Sequence, residues 1–376
     1  VSLRWTKRFI AAEAFEAAAF VDVDSDGVLD IVSGGYWYQG PEFRQRHVIA
    51  DEVRRYSEYY DDGAVVAMDL TGDGRPDIVT GSWWNGLWWR ENPGPGATGN
   101  WTVHRIADVT DVELVMAWDV DGDGELELVP NLFTGPLVVY KWRGDTAEWT
   151  ATQVWDGPQG HGLGFGDISG SGRGDFVVGR GWIEAPADPE GEWVFHPDFD
   201  LASDSRMPQA PGWADSSAPI LVVDVDGDGL SDIVVGHGHS YGIEWWRQGR
   251  DPDGVRTWER HIIDTEVSQC HALRWADIDG DGRPELVAGK RWRAHEAGDP
   301  GNDDDLGIWY YAWNGDGFVK HVIDSGPPGF GSGVGVQFDL ADVTGNGYPD
   351  LIAPGKDGLW LFLNEGLFLN EGPGPR

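Results

Sequence analysis

Cysteine is nearly absent: Cys270 is the only one in 376 residues. An intrachain disulfide is therefore excluded, and the fold must stand on packing, with or without metal. Lysine is also scarce, with 5 residues in the whole chain, and the 27 basic residues face 64 acids. The net charge of −37 argues against a nucleic-acid or anionic-membrane partner. No run approaches the roughly 18 consecutive apolar residues of a membrane helix, so no membrane insertion is expected. No basic-then-apolar leader stands at Val1. A secreted or periplasmic location is expected only if the chain has been processed, and no pattern speaks to oligomeric state.

Glycine (55), proline (22) and tryptophan (22) are plentiful, and aromatics make up 12% of the chain. Disordered chains are poor in aromatics, so this composition points to a turn-rich, all-β fold. One pattern recurs seven times: an apolar run, then D-x-D-x-D-G-x-x-D, then a second apolar run. The copies span 22–30, 69–77, 119–127, 167–175, 224–232, 277–285 and 342–350, with starts 47 to 65 residues apart. That spacing suits a four-stranded propeller blade. A second motif, an aromatic followed a few residues later by an apolar residue, with His between them in five copies, also occurs seven times, first at Trp5 and last at Phe318. The copy at Trp5 precedes the first Asp motif, so it lacks a blade of its own.

These patterns predict an all-β, seven-bladed β-propeller with four antiparallel strands per blade. It forms one domain over residues 1–376, and the N-terminal strand completes the last blade. Closure of that kind removes exposed edge strands. The Asp motif is the A–B turn, and residues 367–376 are left as a tail. The second LFLNEG copy, at Leu367, has no place in the pattern.

Alternating carboxylates in a tight, glycine-containing turn aim several oxygens at one point, which suits a hard cation such as Ca²⁺. Structural calcium is expected at Asp22, Asp24, Asp26 and Asp30; at Asp69, Asp73 and Asp77; and at Asp119, Asp121, Asp123 and Glu127. The same holds for Asp224, Asp226, Asp228 and Asp232, for Asp277, Asp279, Asp281 and Glu285, and for Asp342, Asn346 and Asp350. Ser169 and Ser171 make the fourth turn the poorest set. The alternative is a turn held by Asx-type hydrogen bonds without an ion.

The D-x-D-G-D-G cores at Asp119, Asp224 and Asp277 resemble the FG-GAP/VCBS repeats of integrin α-chain propellers and many bacterial extracellular proteins. The resemblance implies a propeller with cation loops on its lower face, a scaffold that hosts several functions. The stretches GHGLGFGDI, SQCHALRWADIDGDG and GKRWRAHEAGDPG are similar to the propeller domain of the aldos-2-ulose (anhydrofructose) dehydratase family. That likeness implies a metal-dependent sugar dehydratase site. Without the cupin and lectin-like modules of that family, the isomerase step assigned to a cupin is expected to be missing.

Strand order places the D–A and B–C connections on the face opposite the Asp turns. Six residues before each motif stand Glu16, Gly63, Glu113, His161, Ala218, His271 and Val336. Equivalent positions point alike, so Glu16, Glu113, His161 and His271 are expected to converge at the channel mouth as ligands for Zn²⁺, Mn²⁺ or Mg²⁺. A polar, solvated rim is the alternative. Five His belong to the strand D motif (His47, His104, His196, His261, His321) and are expected to be architectural. The top-face loops add Tyr60, Trp84, Arg180, His237, His239, Arg291, His295 and Lys356 as substrate contacts, together with Lys290. The insertion from Trp292 to Leu306 reads as a lid.

The leading expectation is a carbon–oxygen lyase (hydro-lyase) that acts on a sugar or keto-sugar. Its metal, on His161, His271 and a Glu, would polarise a carbonyl. His239 or Lys290 would remove the adjacent proton. The rivals are a non-catalytic carbohydrate-binding or adhesion propeller, and a polysaccharide lyase that acts on acidic sugars. In every case the expected partner is a small carbohydrate or sugar acid.

Overall fold

The structure, a computed structural model, describes residues 2–188, 191–201 and 216–368. Seven four-stranded antiparallel sheets succeed one another along the chain, each ordered A-B-C-D from the axis outwards. Blade I is built from Ala18–Val21, Asp30–Ser33, Tyr36–Gln39 and Gln45–Val48. Blade VII combines Asp339–Ala341, Asp350–Ala353 and Leu359–Phe368 with the N-terminal strand Ser2–Ala11 as its outer member. Leu367 pairs with Leu3 and Phe368 with Ser2, so the start of the second LFLNEG lengthens strand C and is not tail. The rest of the expected tail, from residue 369, lies outside the described residues.

Strand B carries the core. Its side chains, such as Ile31, Val32, Leu128, Val129, Ile233 and Val234, are fully buried because sheets pack against both of its faces. The five strand D histidines each stack on a strand C aromatic of their own blade. Centroid distances run from 4.0 Å for Trp37–His47 to 4.7 Å for Trp245–His261, with Trp89–His104, Trp182–His196 and Tyr310–His321 between.

The ring is sealed by backbone-seeking amides. Gln337, in the chain leading to the last inner strand, donates to Val65 O (2.8 Å) and accepts from Val65 N (2.9 Å). Its own carbonyl accepts the Ala18 N–H. Farther out, Asn92, Gln248 and Asn364 donate to Val23 O, Ile168 O and Ile278 O of the preceding blade. Asn92 sits just past strand C of its blade, whereas Gln248 and Asn364 lie within theirs.

The Asp turns are built alike. The first Asp accepts backbone N–H groups three to five residues on, as when Asp69 takes Gly72, Asp73 and Gly74. The ninth acid is buried and accepts the N–H one past the first, as Asp30 does from Val23. Blade IV, with Ser169 and Ser171, keeps the same bonds to Asp167, while Asp175 accepts the N–H of Ser169, two past the first Asp. The turn therefore closes through hydrogen bonds even where carboxylates are few.

Candidate metal centre and pocket

Strand A enters the sheet from the axis, so its first residues ring the top of the channel. His161 precedes Leu163–Gly166 and His271 precedes Ala272–Ala276. Their rings stand 4.8 Å apart, centroid to centroid. Glu113 joins them, with Oε2 3.6 Å from His161 Nε2 and 3.8 Å from His271 Nε2.

His239 comes from the B–C loop of blade V. Its Nε2 lies 3.0 Å from His161 Nε2, and one nitrogen from each of His161, His239 and His271 falls within 4.8 Å of the others. Two nitrogens bound to one ion at about 2.0–2.1 Å would stand about 3.0–3.4 Å apart, so the His161–His239 pair already has ligand spacing. Backbone room matters here. A Cβ on Gly238 would lie 3.2 Å from His161 Cε1 and 3.2 Å from His271 Cδ2, so glycine lets the loop press against both rings.

Among the described residues, neither ring nitrogen of the buried His271 has a hydrogen-bond partner. Leaving such groups unpaired costs about 1–3 kcal/mol each, and a metal ion would satisfy one of them. Burial, reinforced by Arg291 and the other two imidazoles, holds His271 well below the ordinary imidazole range. Burial likewise pulls His239 down to about 4, although its bond to Asp299 opposes this. Both rings are therefore neutral, the form that ligates.

Asp299 supplies the outer support. It lies in the Trp292–Leu306 insertion and accepts from His239 Nδ1 at 2.7 Å and His295 Nδ1 at 2.9 Å. The His239 and His295 rings stack at 4.3 Å. Across the mouth, the insertion meets the hairpin Arg55–Tyr56/Tyr59–Tyr60: Arg293 pairs with Glu58, Ser57 donates to Glu296, and the His295 N–H reaches the Tyr59 hydroxyl.

The pocket above the imidazoles has a volume of about 290 Å³. Its walls include Glu16, Tyr59, Tyr60, Trp83, Trp84, Glu113, His239, Arg291 and His295. A larger, open groove of about 1290 Å³ lies towards blades I and II and shares Tyr60, but it gathers no imidazoles.

Several expected site residues sit elsewhere or have other partners. Glu16 faces the pocket but is gripped by Arg291 at 2.8 and 3.2 Å, with Lys356 Nζ 3.4 Å away. Burial pushes its pKa up, but the two cations outweigh this and hold it at about 2. Glu16 is thus an ion-pair partner, and His239 takes the place expected for it among the imidazoles. Lys290 does not reach the pocket: its buried ammonium binds Ser268 Oγ at 2.7 Å and Gly301 O, anchoring the insertion. His237 is enclosed in blade V, with Nε2 2.9 Å from Glu244. Arg180 is exposed at the B–C turn of blade IV and does not line the pocket.

In the Asp turns, carboxylates cluster at Asp22/Asp24/Asp30, Asp119/Asp121/Glu127 and Asp224/Asp226/Asp232. Burial and neighbouring acids raise Asp30 and Asp232 to about 6 and Glu285 to about 7. A bound divalent cation would relieve that crowding at Asp30 and Glu285.

Residues 69–129 and 224–288 match the model of the FG-GAP-like repeat. No curated protein gives a significant match. Among solved structures, the chain is similar to BBS1N, crystallised with ARL6DN and soaked with mercury. That match has 13% identity and a TM-score of 0.52, over 96% of this chain and 97% of that one. The BP39L lectin from Burkholderia pseudomallei aligns at 14% identity and a TM-score of 0.49, over 97% of each chain. At 13% identity the likeness to BBS1N is one of fold. The chain is a seven-bladed β-propeller carrying FG-GAP-like repeats.

Proposed function

We propose that the top-face pocket is a divalent-metal site on His161, His239 and His271, backed by Glu113, and that it serves a lyase (dehydratase) reaction on a sugar or keto-sugar. The supporting observation is the buried imidazole of His271, which has no hydrogen-bond partner among the described residues and faces two more imidazoles. Three nitrogen donors suit Zn²⁺, Mn²⁺ or Fe²⁺ better than Mg²⁺, which prefers oxygen. When bound, such an ion would polarise a substrate carbonyl oxygen and so acidify the adjacent C–H.

The chain's own residues supply the rest. Tyr60 and Trp84 give the pocket an aromatic wall on which a sugar ring stacks. His295, held by Asp299, lines the pocket and is placed to accept the proton that leaves carbon and to return it to the hydroxyl on the next carbon, which departs as water as the C=C bond forms. The latched insertion limits water. Arg291 and Lys356 are engaged by Glu16, and Lys290 by Ser268, which favours a neutral sugar over the acidic sugar of a polysaccharide lyase.

The test is metal analysis of the purified chain, then a keto-sugar screen by ultraviolet absorbance for enone product, with His161→Ala and His271→Ala alongside. Near-stoichiometric metal and enone formation, both lost in the variants, are expected. Metal with sugar binding but no turnover would leave the non-catalytic carbohydrate-binding propeller as the better reading.

A further inference from the structure

The residue of strand C that faces the ninth-position acid across the ladder differs from blade to blade. In blade III, Leu128 pairs with Tyr140, which sets Lys141 opposite Glu127. In blade V, Ile233 pairs with Trp246, which sets Arg247 opposite Asp232. By the same register the position holds Gln39 in blade I, Ala312 in blade VI and Leu363 in blade VII. In blades II and IV it holds Glu91 and Glu184, which are engaged by His104 at 2.9 Å and His196 at 2.8 Å.

The two cations lie in their turns. Lys141 Nζ is 2.6 Å from Asp121 Oδ2, 2.5 Å from Asp123 Oδ2 and 2.9 Å from Glu127 Oε1. The ammonium donates to Asp121 and Asp123, and its charge lies against Glu127 Oε1, so it sits among the carboxylates that the turn would otherwise offer to an ion. Arg247 reaches Asp226 Oδ2 at 2.6 Å and Asp228 Oδ2 at 3.3 Å from a more exposed position. A calcium ion would need these same oxygens, six to eight in all, and would have to expel the resident cation from them.

We propose that blades III and V carry their own cation and are closed to calcium, with Lys141 and Arg247 holding the ion position, so that loop calcium is confined to blades whose facing residue is uncharged. The strand C register thereby sets which copies of the repeat take metal.

The test is calcium stoichiometry by isothermal titration of the full chain, stripped with chelator, for the wild type, Lys141→Met and Arg247→Met. Methionine keeps the aliphatic bulk and removes the charge. Each substitution is expected to add one calcium ion per chain, and an unchanged count in both overturns the proposal. If removing Lys141 prevents folding, wild-type crystals soaked in terbium decide the matter. Anomalous peaks in the loops of blades III and V overturn the proposal, whereas a peak in blade VI with none in those two upholds it.

Discussion

His239 shows how one side chain takes its role from its neighbours. Its Nδ1 lies 2.7 Å from Asp299 Oδ2, which fixes the proton on Nδ1 and turns the Nε2 lone pair towards His161 and His271. This is the carboxylate–histidine support usual for metal-bound imidazoles. Asp299→Asn should weaken metal binding by about 10- to 100-fold, read by competition with a chromophoric chelator, while the melting temperature of the metal-free chain changes little. Part of this centre was legible in the sequence. His161, His271 and Glu113 occupy equivalent repeat positions, so symmetry alone gathers them. The third imidazole was harder to place, because His239 lies in a B–C loop whose path no spacing rule sets. The readable hint was Gly238, the one side-chain-free residue between two histidines. The Arg291–Glu16 pair spans 275 residues and left no local signal. Hence Glu16 read as a ligand.

The Asp turn is the element on which metal and pH act together. In blades I and VI burial, with the neighbouring acids adding to it, raises Asp30 to about 6 and Glu285 to about 7. A carboxyl whose folded pKa lies above its unfolded value of about 4 favours the folded state only while protonated. That contribution is full below pH about 4 and is lost as pH rises through 6 to 7. Calcium would replace it in the upper range, where the acids are ionised. Calcium should therefore raise the melting temperature by several degrees at pH 7.5 and by almost nothing at pH 5, measured by differential scanning calorimetry. An equal shift at both values would mean that these acids are not the ligands. The turns themselves were plain from the sequence, since seven copies of one Asp pattern are hard to mistake. Their unequal chemistry was not, because it depends on the strand C residue across the ladder, some 9 to 15 places away in blades I, III and V.

At the scale of the whole ring, the sequence predicted closure from one unpaired motif at Trp5, and the pairing of Ser2–Ala11 with Leu359–Phe368 is that closure. Motif counting cannot show what holds the inner seam. The Gln337 amide satisfies both backbone groups of Val65. Gln337→Ala leaves a buried N–H and a buried C=O unpaired, at about 1–3 kcal/mol each. A loss of about 2–5 kcal/mol in urea unfolding is expected; a loss under about 0.5 kcal/mol would show that the seam does not depend on this amide. The same ring geometry brings one nitrogen each of His161, His239 and His271, from blades IV, V and VI, within 4.8 Å of one another.

That convergence is tested most directly by titrating the chelator-stripped chain with Co²⁺ and following its visible ligand-field absorption. One tight equivalent per chain, with bands that vanish in His161→Ala and in His271→Ala, is the predicted result. Absorption that never saturates near one equivalent, or that survives both substitutions, would contradict a metal centre at the mouth of this propeller.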